Sequence, residues 1–167
     1  MVSGVSVQRN GWQTAALIAL AFWLSMSVLL DVVLMPTMYV TGMVADPSFA
    51  TTGYSLFSLI NRIELVCAAL VLSGVLVAWG GQPSPGLLRR SRFFLAIGLL
   101  AIVLAYTYAL TPQMSSLAAQ LNLFSPLAAV PQGMNQLHLE YWLLEVMKLV
   151  GVGVLLRQFY RQSVELG

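Results

Sequence analysis

The chain has 167 residues, 59% of them hydrophobic and only 8% charged, with a mean hydropathy of +0.83. Soluble domains carry about 25% charged residues, so the composition excludes a soluble globular fold and points to a single integral membrane domain over residues 1–167. The net charge is +2, and a lone cysteine, Cys67, excludes an intrachain disulfide, a CxxC pair and a cysteine zinc site.

A membrane span needs about 20 apolar residues. Four stretches qualify, over about 12–35, 54–79, 93–110 and 139–159. The apolar run after Trp12 is too long for a cleavable signal peptide and lacks an A-x-A-like site. Pro36 should kink or end the first helix, and "TMYVTGMVADPSF" then continues obliquely or caps the outer mouth. The second span is followed by "GGQPSPGLLRRSR", a Gly/Pro turn leading into Arg89, Arg90 and Arg92. After the third, Thr111-Pro112 reads as an N-cap with proline at the first helical position. Met114, Leu117, Leu121 and Phe124 then define a short amphipathic helix on the outer loop, which "SPLAAVPQG" ends. Trp12, Tyr54 and Trp79 sit at span ends as interfacial anchors.

Arg9, Arg89, Arg90, Arg92, Arg157 and Arg161 lie on the N-terminus, the middle loop and the C-terminus, whereas the other two loops carry no Lys or Arg. Positive-inside asymmetry therefore puts both termini in the cytoplasm, as an even number of spans requires. The expected fold is an all-α integral membrane protein, an antiparallel four-transmembrane-helix bundle with N-in/C-in topology. A bacterial plasma membrane is the expected location, with a thylakoid or other internal membrane as the alternative.

Charges inside the spans carry the functional signal. At about 1.5 Å per residue, Asp31 lies about a turn below the outer end of the first span. Asn61, Arg62 and Glu64 lie two to three turns into the second. His138 opens the fourth, Glu145 is about two turns in, and Lys148 is near mid-membrane. Three spans thus place ionisable groups at overlapping depths in the outer half. His138, Tyr141, Glu145, Lys148 and Val152 share one helical face with the 3-4-3-4 spacing of a helix seam. Glu140 points elsewhere, Asn61 and Glu64 share a face, and Arg62 points nearly opposite Glu64, toward another helix or outward. Counting Asp31, Glu64 and Glu145 against Arg62 and Lys148 leaves one acid over.

An intramembrane charge costs about 2.5–3.5 kcal/mol on insertion scales, so such groups pair or line a cavity. Two readings follow. In one, His138 marks the mouth of a cluster that binds or passes a proton, cation or small polar solute. Glu145, Glu64 and Asp31 are then its acceptors, and Arg62 and Lys148 its counter-charges. In the other, the charges only lock helices in a structural or assembly subunit of a larger complex. No nucleophile–base pair, phosphate loop, nucleophile elbow or HExxH motif appears, so no enzyme and no cofactor are expected. A single histidine cannot supply a bis-histidine haem, and no metal site is expected. The Gly151-x-Gly153 pair suggests close helix approach. Arg89, Arg90 and Arg92 read as topology determinants touching anionic lipid, too few for nucleic acid. The expected partners are the bilayer and either another membrane subunit or a second copy of the chain.

Four short motifs carry a likeness. The first helix ends near Pro36, and Asn61, Arg62 and Glu64 form an Asn-Arg-x-Glu patch early in the second. Thr111-Pro112 follows the third, and Leu137-His138 opens the fourth. Together they resemble the four-helix membrane family of unknown function that includes bacterial proteins of domain-of-unknown-function family 4149 and eukaryotic transmembrane protein 205. The resemblance implies a four-helix bundle and no established reaction or ligand.

Overall fold

The computed structural model describes residues 2–43, 49–79, 86–124 and 134–165. These are helical almost throughout, with no strand among the described residues. The helices are α1 (Val2–Val28), α2 (Met35–Val40), α3 (Phe49–Trp79), α4 (Gly86–Ala105), α5 (Thr111–Phe124) and α6 (Met134–Glu165). Two wide π-helical segments, Leu29–Leu34 and Tyr106–Leu110, join α1 to α2 and α4 to α5 without a break. Gly11–Val40, Thr51–Ala78 and Leu88–Leu117 are each long and apolar enough to cross a membrane. The described residues are therefore almost wholly helical, with three membrane-compatible helices among them. Helix α6 has the length, but Glu140, Glu145, Lys148, Arg157 and Arg161 keep it out of that class.

Periodicity explains the core. Buried positions recur three and four residues apart on each long helix. They are Ala16, Leu20, Trp23 and Ser27 on α1, and Glu64, Ala68, Val71 and Val75 on α3. Ala96, Leu99, Val103 and Tyr106 follow on α4 and its π segment, and Lys148, Val152, Leu155 and Phe159 on α6. That spacing keeps one stripe of each helix turned inward. The opposite stripes expose Ile18, Phe22, Val66, Phe94, Met147 and Val150. Water would disfavour such a surface and lipid tails would accept it. Helices α3 and α6 each pack against α1 and α4, so α3 and α6 face each other across the centre.

Of the two outcomes expected at Pro36, an end to the helix is not what is found, and Thr111-Pro112 is not a helix start. Pro36 neither ends the helix nor starts a cap: helix continues to Val40, and Gly42, at φ +74°, closes it. A proline ring collides with the carbonyl four residues back and supplies no N–H. The π segment ahead of Pro36 relieves this, because its bonds run five residues back, from the Met35 N–H to the Leu30 carbonyl. The Thr37 hydroxyl also donates to the Val33 carbonyl at 2.6 Å. Pro112 repeats the arrangement, with the Thr111 N–H bonded to the Tyr106 carbonyl. Thr111 is helical (φ −60°, ψ −45°) rather than an N-cap, so α5 continues α4 instead of forming a separate helix. Met114 and Leu117 are half-buried. The side chains of Leu121 and Phe124 lie outside the described residues, as do residues 44–48, 80–85 and 125–133, which hold three of the expected turns.

Glycine sets one close contact. A Cβ on Gly74 would sit 2.8 Å from the Ala16 Cβ and 3.5 Å from the Trp12 carbonyl oxygen, so α1 and α3 touch there. The Gly151-x-Gly153 reading holds only by half. A Cβ on Gly151 would meet Leu99 at 3.1 Å, whereas one on Gly153 would meet nothing within 4 Å. Near the far end from Pro36, Arg92 turns inward rather than only toward lipid. Its guanidinium donates to Gln158 Oε1 at 3.2 Å and Gln162 Oε1 at 2.6 Å, tying α4 to α6.

Candidate functional site: a buried carboxylate cluster

Lys148 stands at its centre. Its Nζ lies 2.6 Å from Glu64 Oε1 and 2.8 Å from Glu145 Oε1. The lysine is 2% exposed and each glutamate 1%. Glu145 lies one helical turn N-terminal to Lys148 on α6, but Glu64 lies on α3, across the interior. A long, flexible side chain is what such a crossing needs, and lysine supplies it with an ammonium that can donate in three directions. Two further donors serve the acids. The Ser27 hydroxyl from α1 donates to Glu64 Oε1 at 3.1 Å, and the Tyr106 hydroxyl donates to Glu145 Oε2 at 3.0 Å. Each of the four long helical segments therefore contributes to one polar core.

Asp31, 8% exposed, is a third buried carboxyl, about one helical turn beyond Ser27. It projects from the first π segment, and Tyr106 from the second. Both irregular turns thus present a polar side chain to the same cluster. π-Turns are rare and concentrate at functional sites because they re-aim a side chain inside an otherwise regular helix. Tyr141 flanks the group, its ring 5.1 Å from that of Tyr106, and Lys148 Nζ lies 5.3 Å from the Tyr106 ring centre.

Among the expected site residues, Asp31, Glu64, Tyr141, Glu145 and Lys148 come together. Asn61 is buried but serves a different contact, donating to Thr111 Oγ1 at 2.8 Å. Arg62 stays on the exposed face of α3 and does not act as a counter-charge. His138 is also exposed, near the start of α6. The charge count changes accordingly: three carboxyls face one ammonium, an excess of two acids rather than one. Glu64 Oε2 and Asp31 Oδ2 are buried without a hydrogen-bond donor, and Glu145 Oε1 has only its ion pair with Lys148. Among the described residues, no three His, Cys, Asp or Glu side chains are arranged to hold a metal ion.

Sequence reasoning missed Tyr106. Its position continues the apolar stripe of Leu99 and Val103, and a tyrosine in a buried stripe needs a partner for its hydroxyl, which was the available signal. No family model, curated protein or solved structure matches the chain.

Proposed function

We propose that the chain is an antiparallel four-helix membrane bundle with cytoplasmic termini that binds or passes a proton or small cation, without catalysing a reaction. The family resemblance on Pro36, Asn61-Arg62-x-Glu64, Thr111-Pro112 and Leu137-His138 is consistent with this architecture. One observation carries the reading: Glu64 and Glu145 share the single Lys148 ammonium, and a third carboxyl, Asp31, is buried one turn beyond the Ser27 that donates to Glu64. Apolar surroundings penalise uncompensated charge heavily, so this interior favours an additional positive species. In the proposed topology the cluster lies in the outer half, nearest the end of α6 that bears His138. Tyr141, half-buried between that end and Glu145, sits where a hydrophilic entry would run. The test is ion flux in proteoliposomes. Wild-type protein should dissipate an imposed proton or monovalent-cation gradient, and Glu145→Gln should reduce the flux at least tenfold. Equal flux from both proteins and from empty vesicles would overturn the reading.

A second reading draws on a different aspect of the same site. Lys148, Glu64, Ser27 and Tyr106 link all four helices, which suits a structural or assembly subunit whose charges fix helix register. Purification from the native membrane separates the two. A stoichiometric partner favours the assembly role, and a folded solitary protein favours the ion-binding one.

A further inference from the structure

We propose that the groove between α4 and α6 holds one acyl chain of an anionic phospholipid, with the lipid phosphate at its arginine-bearing end. The groove has a volume of about 360 Å³. Ser91, Phe94, Gly98 and Ile102 line it from α4, and Met147 and Gly151 from α6, so it is apolar apart from Ser91 at one end. Two glycines shape it. A Cβ on Gly98 would meet nothing within 4 Å, so open space lies where a side chain would stand. A Cβ on Gly151 would meet Leu99 at 3.1 Å, so the two helices close on each other beneath that space. Phe94 and Met147, both exposed, wall it on either side.

Its length fits a lipid. From Ser91 to Ile102 the helix rises about 16 Å, about half the thickness of a hydrocarbon core. The groove therefore runs from the bilayer surface to mid-depth, the reach of one acyl chain. A helix about 10 Å across is too broad for that volume over that length. Charge marks the surface end. On α6, Arg161 continues the row of Met147, Gly151, Val154 and Gln158 at 4-3-4-3 spacing, and Arg157 lies one turn before it. On α4, Arg90 lies one turn before Phe94. All three arginines are exposed, whereas Arg92 is bonded to Gln158 and Gln162 and seals the seam at that end. Arginine stems lie along apolar surface while the guanidinium reaches the headgroup layer, where its fork of N–H donors matches phosphate oxygens. Several guanidinium groups together favour a headgroup whose phosphate charge no ammonium cancels.

Native mass spectrometry of the full chain with dioleoyl phosphatidylglycerol or dioleoyl phosphatidylcholine tests this, because the two lipids differ only in the headgroup. Wild-type protein should retain one phosphatidylglycerol per chain, about fivefold more than phosphatidylcholine. Gly98→Leu puts a side chain into the groove where no protein atom obstructs it, and should abolish retention with the helical circular dichroism unchanged. Arg90→Gln with Arg161→Gln should keep one lipid per chain and lose the headgroup preference. Both arginines are exposed, so this variant and the wild-type comparison decide the question should Gly98→Leu fail to fold. No retained lipid, equal retention of the two lipids by wild-type protein, or wild-type retention by a folded Gly98→Leu would overturn the proposal. So would a dimer that Gly98→Leu dissociates, since the occupant would then be a second copy of the chain.

Discussion

Removing the Lys148 ammonium would leave Glu64 and Glu145, each 1% exposed, without the cation that lies 2.6 and 2.8 Å from them. Breaking a buried ion pair from one side costs about 3–5 kcal/mol, because the abandoned charge stays buried. Lys148→Met should therefore cut membrane accumulation severely. If Lys148 were paired only with Glu145, its i,i+3 neighbour, Glu145→Gln alone would restore most of the loss. The observed three-body arrangement predicts otherwise. Lys148→Met with Glu145→Gln should recover only part of the loss, and adding Glu64→Gln should recover more. Quantitative blotting of membrane fractions checks this, and full rescue by Glu145→Gln alone would contradict the bridging role. The partner of Lys148 on α6 was legible because helical spacing is fixed. Glu64 as a second partner was not, since only the packing of α3 opposite α6 brings it within reach. Arg62 illustrates the same limit: its direction relative to Glu64 was legible, but which helix faced it was not.

Between elements, the 3-4-3-4 stripe of α6 could be read from spacing alone, because every side chain on a regular helix has a fixed direction. The prolines could not be read that way. Pro36 and Pro112 resemble stop signals in sequence, yet each follows a π segment that absorbs its missing bond. Close approach was legible only as a tendency of glycine: it held at Gly151, not at Gly153, and it missed Gly74. Gly74, not Gly153, is where a new methyl group would strike a neighbour. Gly74→Ala should destabilise the fold by about 1–3 kcal/mol, the usual cost of overpacking, and lower the melting temperature in detergent. Ala16→Gly removes the methyl that the new Cβ would strike and should restore part of the loss. Gly153→Ala should be silent. A destabilised Gly153→Ala with a neutral Gly74→Ala would contradict the packing of α1 on α3.

Across the whole molecule, apolar side chains face outward and the strongest polar contacts face inward, an arrangement suited to hydrocarbon. The arginines at one end then predict topology. Single cysteines at residues 82 and 88, in a Cys67→Ala background, should resist a membrane-impermeant thiol reagent added outside intact cells and react after lysis. Labelling from outside would overturn the proposed orientation.

The central claim is that the interior holds an acid excess which takes up positive charge. A ligand that binds the folded state in preference to the unfolded one raises stability by mass action. Above about pH 5 the carboxyls of an unfolded chain are ionised, so a proton retained in the folded cluster makes stability rise as the pH falls toward that value. The deciding measurement is the melting temperature of the purified protein across this pH range, at fixed ionic strength and with sodium or potassium exchanged for a bulky organic cation. Wild-type protein should gain stability as the pH is lowered or as either metal ion replaces the organic cation, and Glu145→Gln should flatten the dependence. A wild-type melting temperature indifferent to both protons and cations would contradict the account.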